Sequence, residues 1–573
     1  MQDNINQKPA AMIDPMKPSN YVFKFLSYYF DKENLVGTFV YQGIDNTIFT
    51  EKITFAKHPE AYKGKRFNVL NDPTLNKILD NAMFLAFMMI GASYYKAHPT
   101  PFVNVAKPID EFQAKFFDKV FQEGLSQYAF ENGLTRQNLA HFKATATQVD
   151  GAKPYRGDGI LSLQSGGKDS LLVATLLLEA NIDFTPWYVS SDKNGAHPAV
   201  IDEIFPQLIN KSASIVIREI DQVNLKETGG LNGHVPITLI NTSLAIIQAI
   251  LNGQNIVLTS IGDEGTEPHA VIGDLPVNHQ WSKTWEAEQL LAEYVKRYIS
   301  EDIKVGSPIR KYSELRIAEL FVNKCWQKYG YKFSSCNTAN YKQGSNNAEL
   351  TWCGECAKCA NTYLLFCPFL APQVLQSLFH DVDLFRKPQL IEMFQGLLGV
   401  NGMMKPFECI GSVEELRFAY QHRMKVEPIL ISQNQSPMRN YQAETINANL
   451  TQASARLGIS KMFKSPAPQR PQQFNPNGNN GQYGPAYTNA QPAPVKELPA
   501  IEQKYDKDGR PLPIQLPEGW WQPLYADLPF FVPESHFDYA AEHNSQDFFR
   551  NFFEDNRKVE SVKTLEDDAP EAN

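Results

Sequence analysis

The clearest chemical pattern in the sequence is a short glycine-rich run that could hold a phosphate: Ser165, Gly166, Gly167, Lys168, Asp169 and Ser170. Two glycines allow a tight turn that brings backbone N–H groups against an anion. The helix expected to follow would point its positive N-terminal end at the same place. Lys168 adds a charge, and Asp169 is suited to hold Mg²⁺ or to cap the helix. The alternative is an ordinary strand–turn–helix junction in which Asp169 is only a cap.

A second pattern is a group of cysteines with the spacing of metal ligands. Cys353, Cys356 and Cys359 form a C-x₂-C-x₂-C run, and Cys336 lies upstream of it. Four thiolates are a usual ligand set of a structural Zn²⁺. The pattern therefore predicts a zinc site, with an iron–sulfur cluster, a sulfur-carrying thiol pair and inert buried cysteines as alternatives.

A third set of polar residues lies further along the chain. Asp263 and Glu264 follow an apolar segment, His234 lies in LNGHVPIT, and His279 lies in NHQWSK. We expect Asp263 to contribute to nucleotide binding. The two acids could equally cap a helix, and a single histidine is more often a hydrogen-bonding residue of the structure than a catalyst.

Strands and helices alternate over residues 155–265. The strand segments are GILSLQ, FTPWYVSS, SIVIREI and NIVLTSI, and helical segments separate them. This alternation predicts an α/β fold with a parallel, doubly wound sheet. Ligands of such sheets bind beyond the carboxyl ends of the strands. The loops after Gln164, Ser190, Ile220 and Ser260 should therefore share one edge.

The remaining chain has a different composition on either side of this unit. Residues 21–56 alternate apolar and polar side chains, which predicts an antiparallel meander, and helical patterns follow near 74–96 and 109–132. The sequence predicts a disordered N-terminus (1–20), an N-terminal α+β domain (21–150) and the parallel-sheet domain (151–283). These are followed by a helical region with the cysteine cluster (284–432), a linker rich in Pro, Asn, Gln and Gly (433–505) and an aromatic-rich tail (506–573).

Composition and charge limit the classes of partner that the protein could bind. The chain has 573 residues and a formal net charge of −9, which gives no overall field for nucleic acid or for an anionic membrane. The apolar stretch that begins at Ala82 is too short to span a bilayer and predicts a buried helix. All seven cysteines lie in the second half of the chain, and Cys325 and Cys367 are predicted core residues. Clustered cysteines without a secretory signal favour a cytoplasmic location.

The glycine-rich run resembles the SGGxDS loop of the PP-loop ATP pyrophosphatases. It matches neither G-x-x-x-x-G-K-[ST] nor G-x-G-x-x-G. The resemblance covers about residues 155–265 and implies a PP-loop ATP-binding domain. In that superfamily, enzymes cleave ATP between the α- and β-phosphates, and the loop holds pyrophosphate. The resemblance assigns ATP and Mg²⁺ as cofactors and places the six residues Ser165–Ser170, with Asp263, at the nucleotide.

Several segments resemble the narrower family of UDP-N-acetyl-α-D-muramoyl-L-alanyl-L-glutamate epimerases (MurL). They are SSCN from Ser334, WCGECAKCA from Trp352, PFL from Pro368, NHQWSK from Asn278, KPFECIG from Lys405 and GLSQYAFENGL from Gly124. The resemblance spans about residues 20–425 and leaves out the linker and tail.

This resemblance implies ATP-dependent inversion of the terminal L-Glu of UDP-MurNAc-L-Ala-L-Glu for peptidoglycan synthesis. The carboxylate would become an acyl adenylate, with release of AMP and pyrophosphate, and a base and an acid would then exchange the α-proton. His279 and Cys409 are the candidate base and acid. The partners implied are the UDP-MurNAc-dipeptide and the ligase that supplies it, with no nucleic acid and no membrane.

Two other classes of function remain open from sequence. A nucleobase- or tRNA-modifying enzyme of the same superfamily would use the same loop and cysteines. A tRNA-binding enzyme would also benefit from a basic face, which the composition does not offer. A non-catalytic nucleotide-binding scaffold would explain the linker and aromatic tail, but the intact loop argues against a dead site.

Overall fold

In the computed structural model, the residues described are 21–57, 72–204, 213–263, 268–310, 312–340, 349–399, 403–413, 415–417 and 419–420. The predicted N-terminal segment, the linker and the aromatic tail lie outside these residues, and so does Glu264. The strands are β1 (Phe23–Asp31), β2 (Val36–Gln42), β3 (Ile48–Thr54), β4 (Val103–Val105), β5 (Ile160–Leu163), β6 (Thr185–Ser190), β7 (Ser214–Glu219), β8 (Ile256–Leu258), β9 (Ala270–Ile272), β10 (Leu275–Val277) and β11 (Lys304–Gly306).

The helices of the described residues alternate with these strands in the middle of the chain and follow one another after β11. They are α1 (Pro73–Tyr95), α2 (Glu111–Gln122), α3 (Ser126–Glu131), α4 (Lys168–Glu179), α5 (Ala199–Asp202), α6 (Gln222–Glu227), α7 (Ile237–Asn252), α8 (Trp285–Tyr294), α9 (Glu314–Lys324), α10 (Trp326–Tyr329), α11 (Asn337–Asn340), α12 (Ala357–Phe366), α13 (Pro372–Ser377) and α14 (Ile391–Leu397).

One large sheet runs through the described part of the protein, in the order β11-β8-β5-β6-β7-β3-β2-β1-β4. The five strands from β11 to β7 are parallel to their neighbours. The loops that follow them therefore share one edge, as predicted. The sheet as a whole is mixed, because β7 pairs antiparallel with β3 and the meander β3-β2-β1 continues it. The α/β class is confirmed, and the strands predicted to be parallel are parallel, but the meander predicted for the N-terminal domain continues the same sheet and makes it mixed.

A buried ion pair marks the place where the meander joins the parallel strands. Arg218 Nε of β7 lies 2.7 Å from Glu51 Oε1 of β3, and the Tyr94 hydroxyl donates to the other oxygen of Glu51 at 2.7 Å. A charge pair taken out of water is tolerated only where further hydrogen bonds complete it. The N-terminal strands and helix α1 are therefore fixed against the sheet, and with them the elements that follow.

The sheet carries an apolar core on each face. Along β5, Ile160 packs into the core that contains α4, α9 and α12, and Leu161 packs into the core that contains α1 and α7. Alternate side chains of a strand point to opposite faces, so a strand buried on both faces is apolar throughout. Helix α1 is long and apolar enough to cross a membrane, yet 89% of its apolar window is buried inside the protein. It forms the centre of one core, as predicted for the stretch from Ala82.

Two local predictions differ from the structure. The helix expected near 109–132 is divided into α2 and α3, because a Cβ at Gly124 would lie 2.3 Å from the Val120 carbonyl oxygen, too close for any other residue. The region expected to be helical from residue 284 contains the short strand β11, which pairs with β8 at the edge of the sheet. A three-residue strand is too short to give a period-2 pattern, so it cannot be distinguished from its helical surroundings.

Candidate active site

The loop between β5 and α4 lies at the edge where the parallel strands end. Gly166 has φ of 77°, and a Cβ at this position would lie 2.5 Å from Leu350 Cδ1. Gly167 is the N-cap of α4, and no side chain caps this end of the helix. The loop therefore combines a turn that requires glycine with a helix N-terminus left open to an anion.

The polar side chains of the loop hold its shape. The Ser170 hydroxyl donates to the Gly167 carbonyl at 3.1 Å and accepts from the Ser165 N–H at 3.2 Å. Asp169 does not cap α4, which removes the alternative role considered from sequence. Its carboxylate accepts instead from Lys168 Nζ at 2.6 Å.

Lys168 is buried between two carboxylates. Its ammonium group lies 2.6 Å from Asp169 Oδ1 and 2.6 Å from Glu314 Oε2, and the Lys168 and Glu314 side chains are 9% and 5% exposed. Burial by itself would lower the pKa of Lys168, but the two carboxylates outweigh it and raise that pKa. For Asp169, burial by itself would raise the pKa, but the charge of Lys168 outweighs burial and lowers that pKa. Lys168 and Asp169 are therefore both ionised at neutral pH.

Two more lysines bring positive charge to the same place. The charges of Lys283 and Lys358 also lower the pKa of Asp169. Lys283 Nζ lies 3.3 Å from Cys409 Sγ, and Lys358 donates to the Cys409 carbonyl oxygen. An ammonium group beside a thiol can stabilise the thiolate that is left after the thiol gives up its proton. Cys409 thus lies in a cationic environment next to the loop.

Buried hydrogen bonds fix this arrangement. Arg310 Nη1 donates to the carbonyl oxygens of Lys283 at 2.7 Å and of Gly262 at 2.9 Å. Gly262 precedes Asp263, whose N–H donates to the Tyr312 carbonyl at 2.7 Å. A Cβ on Gly262 would lie 3.4 Å from Glu314 Oε1. The structure therefore brings Asp263 to the same edge as Glu314.

His279, the other candidate for proton transfer, lies in a cluster of three histidines. Its ring centroid is 4.8 Å from that of His234 and 6.5 Å from that of His269. Burial, the two neighbouring rings and the charges of Lys358 and Lys283 hold the pKa of His279 well below its usual value. Burial likewise lowers the pKa of His234 to about 4 and of His269 to about 3. The three rings are therefore neutral at pH 7.

Lys283 connects the two candidates for proton transfer. Its ammonium contacts Cys409 Sγ, and its charge acts on His279. Within the part of the chain that the structure describes, no hydrogen bond joins His279 directly to Cys409. Inversion at a carbon requires a proton-transferring group on each face, and His279 and Cys409 are candidates for that pair.

The four cysteines of the predicted metal site converge although Cys336 is separated from the others along the chain. Their Sγ atoms all lie within 4.8 Å of one another. Cys336 and Cys356 are 3.6 Å apart, Cys353 and Cys359 are 3.7 Å apart, and Cys356 and Cys359 are 3.5 Å apart. Four sulfurs bound to one Zn²⁺ at about 2.3 Å would be about 3.8 Å apart, so the ligand set fits that ion.

Backbone N–H groups point at three of these sulfurs. The N–H of Ala339 donates to Cys336 Sγ at 3.4 Å, that of Glu355 to Cys353 Sγ at 3.4 Å, and that of Gly354 to Cys359 Sγ at 3.3 Å. Such donors offset the negative charge of thiolates. Cys325 and Cys367, in contrast, are buried in the apolar core, as predicted.

The chain segments that carry the four cysteines contact the glycine-rich loop. The N–H of Ser334 donates to the Gly166 carbonyl at 3.2 Å, and Leu350 packs against Gly166. Both contacts come from the segments that carry the cysteines. The cluster can therefore set the position of the loop.

Sequence reasoning missed several residues of this site. Lys283 lies in the NHQWSK segment and Lys358 in the WCGECAKCA segment, so the sequence did offer a signal for both lysines. Glu314 and Gln127, which contacts His279, carry no local signal. They are 146 residues from Lys168 and 152 residues from His279, respectively.

Comparison with known proteins identifies two matching family models. The MurL N-terminal domain matches residues 16–307 and the MurL C-terminal domain matches residues 332–449. The first match covers both the meander and the parallel strands.

Three similar proteins each bear the name UDP-N-acetyl-alpha-D-muramoyl-L-alanyl-L-glutamate epimerase. The protein of Xanthomonas oryzae pv. oryzae is 29% identical over 400 residues, covering 69% of this chain and 84% of the relative. That of Salinispora tropica is 30% identical, covering 69% and 82%, and that of Micromonospora sp. is 33% identical over 346 residues, covering 60% and 73%.

Proposed function

Since this chain belongs to the MurL family, we propose that it is an isomerase that inverts the terminal L-glutamate of UDP-MurNAc-L-Ala-L-Glu to D-glutamate. The reaction consumes ATP and water and releases AMP and pyrophosphate. The name carried by its relatives supports the substrate and the inversion. The ATP dependence rests on the loop between β5 and α4.

The open N-terminus of α4 is the observation that carries nucleotide binding. No side chain caps this helix, and Gly166 and Gly167 keep the approach to its first turn free of a Cβ. The loop follows a parallel strand and has the residues of a PP-loop, so we assign it to the phosphates of ATP. Lys168 then offsets the charge that develops on pyrophosphate as it leaves.

Asp169 and Glu314 are suited to hold Mg²⁺, because their oxygens converge on one point, now the ammonium of Lys168. Mg²⁺ prefers oxygen ligands and is usually held by one or two carboxylates together with substrate phosphates. When bound, it would supply further neutralisation of the phosphate charge. Asp263, on the same edge, is the remaining acidic residue that we assign to nucleotide binding.

Adenylation makes the α-proton removable. An oxygen of the α-carboxylate forms a bond to the α-phosphorus of ATP, and the bond from that phosphorus to pyrophosphate breaks. The ionised carboxylate, which would place a negative charge beside a carbanion, becomes a neutral mixed anhydride. Lys283 and Lys358 carry the positive charge that would attract the carboxylate to this reaction.

The proton exchange then uses both faces of Cα. We assign the neutral ring of His279 to one face, as the base that removes the proton, and the thiol of Cys409 to the other, as the acid that returns one and becomes a thiolate beside Lys283. Both are held near Lys283. Water then attacks the acyl carbon and releases AMP, which leaves the D-isomer with a free carboxylate.

A structural Zn²⁺ held by Cys336, Cys353, Cys356 and Cys359 completes the proposal. Its part is to fix the segments that carry Ser334 and Leu350 against the loop. ATP and a UDP-linked precursor are both cytoplasmic compounds, so we place the reaction in the cytoplasm, downstream of the ligase that attaches L-glutamate.

The test is an incubation of the full chain with UDP-MurNAc-L-Ala-L-Glu, ATP and Mg²⁺ in deuterated water. We expect the D-Glu isomer with deuterium at Cα, together with AMP and pyrophosphate. Formation of ADP in place of AMP, or inversion without ATP, would overturn the proposed role of the loop.

A further inference from the structure

A hydrogen-bonded chain reaches His279 from the N-terminal part of the protein. Gln127 Nε2 donates to Glu131 Oε1 at 2.7 Å, one turn along α3. Gln127 Oε1 lies 2.6 Å from His279 Nδ1. The Gln127 and His279 residues are 7% and 9% exposed, so water has little access to the contact between them.

The direction of this chain follows from its first member. Burial raises the pKa of Glu131, and the hydrogen bond from Gln127 opposes that shift. In its ionised form the carboxylate accepts hydrogen bonds but cannot donate, so the NH₂ group of Gln127 faces Glu131. Its carbonyl oxygen then faces His279, and only a protonated Nδ1 can donate to it. In a neutral imidazole the proton is therefore on Nδ1, and Nε2 keeps its lone pair.

The second ring nitrogen is available for chemistry. Among the described residues, His279 Nε2 has no hydrogen-bond partner. The charged and titratable groups that act on the ring are His234, His269, Lys283 and Lys358, and together with burial they keep the imidazole neutral. A neutral ring with its lone pair on Nε2 can accept a proton there.

The same helix also places the backbone of the histidine segment. The Ser126 hydroxyl accepts from the Asn278 N–H at 3.0 Å and lies 3.3 Å from the Asn278 carbonyl oxygen. Ser126 thus holds the backbone of Asn278, and the next residue of α3, Gln127, holds the ring of His279. Helix α3 therefore fixes the position of the His279 side chain.

We propose that Gln127, oriented by Glu131, is a positioning residue that fixes His279 in its Nδ1–H tautomer and makes Nε2 the atom that exchanges a proton with Cα. This inference rests on the proposed epimerase function. It assigns a role in catalysis to the N-terminal part of the chain, through a residue that contacts the histidine rather than the substrate.

The experiment separates the two partial reactions. Substrate-dependent exchange of pyrophosphate into ATP reports adenylation, and incorporation of deuterium at Cα reports proton transfer. Gln127→Met removes the acceptor at nearly equal volume. We expect wild-type pyrophosphate exchange and deuterium incorporation lowered about 10–100-fold, the loss typical when a group that orients a functional histidine is removed.

Gln127→Glu provides a second readout. It keeps an acceptor at Nδ1 and adds negative charge, which favours the imidazolium form. Deuterium incorporation should persist, with the acidic limb of its pH profile moved to higher pH. Gln113→Met is the matched control, because Gln113 is a buried glutamine that donates to the Tyr294 hydroxyl, away from the site. It should lower the melting temperature without separating the two partial reactions.

Nitrogen NMR of ¹⁵N-histidine-labelled full chain tests the tautomer directly, with the His279 signal identified by its loss in His279→Asn. We expect Nδ1–H in the wild type and a mixture of tautomers in Gln127→Met. Equal loss of both partial reactions in Gln127→Met, or an unchanged tautomer, would overturn the inference. A wild-type chain that inverts nothing would refute the proposed function instead, and the NMR result would still decide the role of Gln127.

Discussion

Lys168 and Glu314 form a buried ion pair of 2.6 Å between the first residues of α4 and α9. The last residues of the same two helices, Glu179 and Lys324, form a second pair of 2.8 Å, whose side chains are 38% and 17% exposed. The helices are thus joined at both ends, but only the first pair lies at the phosphate loop. Variants of the first pair should therefore affect both catalysis and the packing of the two helices, whereas variants of the second pair should affect the packing alone.

Lys168→Met should lower AMP and pyrophosphate formation about 10²–10³-fold, because charge stabilisation of the leaving group is lost. It also leaves Asp169 and Glu314 facing each other. Removal of one partner from a buried pair costs about 3–5 kcal/mol, so the melting temperature should fall as well. The double variant Lys168→Met/Glu314→Gln should recover stability but not activity. Lys324→Met is the control, because it breaks the second ion pair between the same helices. Near wild-type AMP formation by Lys168→Met would contradict the assignment of the loop.

Asp169→Asn should lose AMP formation, and its melting temperature should fall less than that of Lys168→Met, because Lys168 keeps Glu314 as its partner. The asparagine keeps the shape of the side chain but removes the charge proposed to hold Mg²⁺. Because Asp169 does not cap α4, Asp169→Ala should not show the stability loss of about 1 kcal/mol expected for a lost cap. Pyrophosphate release and thermal unfolding measure the two effects. Retained turnover in Asp169→Asn would remove this carboxylate from the mechanism.

His279→Asn and Cys409→Ala should each stop inversion at Cα yet leave substrate-dependent ATP–pyrophosphate exchange in place. Each variant lacks one of the two groups proposed to transfer the proton, whereas the phosphate loop is unchanged. Cys325→Ala is the control, since Cys325 is buried in the core and should affect stability only. A variant at Cys409 that still inverted Cα at the wild-type rate would show that another group serves that face.

The purified protein should carry about one equivalent of Zn²⁺, as elemental analysis would show. Cys353→Ser should lower metal content and melting temperature. It should also weaken ATP binding, measured by calorimetry, because Ser334 connects the cysteine segment to the Gly166 carbonyl. Cys367→Ser, a change outside the cluster, should keep the metal. Stable, fully active protein without metal would refute the site.

Stability should fall as the pH drops below about 6.5, through the histidine cluster. In the folded state the pKa of His234 is lowered to about 4 and that of His269 to about 3, whereas in the unfolded chain both are about 6.5. Between these values the unfolded state binds more protons, so stability increases with pH and is complete above the unfolded pKa.

His269→Asn should therefore flatten the dependence of melting temperature on pH between about 4 and 6.5. The control is His141→Asn, a histidine whose side chain is 58% exposed. An equal change in both variants would show that the buried cluster is not the source of the acid sensitivity.

Much of the local structure was predictable because its causes are local. The apolar run of β5, the glycines after it and the apolar face of α4 lie within twenty residues, 160–179, and short-range turn chemistry and side-chain period specify each of them. The cysteine spacing likewise predicted a common ligand set for residues that turns bring together. The class of the fold and the place of the glycine-rich loop at the edge of the sheet followed from these patterns.

The tertiary structure decided which side chains meet. Glu314 reaches Lys168 across 146 residues, Cys409 reaches Lys283 across 126, and Gln127 reaches His279 across 152. These contacts depend on the pairing of β3 with β7 and on the packing of α9 against α4, and no periodicity in the chain encodes either. A hydrogen-bond partner is set by position to within about half an ångström, whereas a sequence pattern fixes only the face on which a side chain lies. The sequence alone therefore determined the loop, the cysteine ligand set and the class of fold, and the tertiary contacts alone determined the groups that charge, orient and protonate the side chains around them.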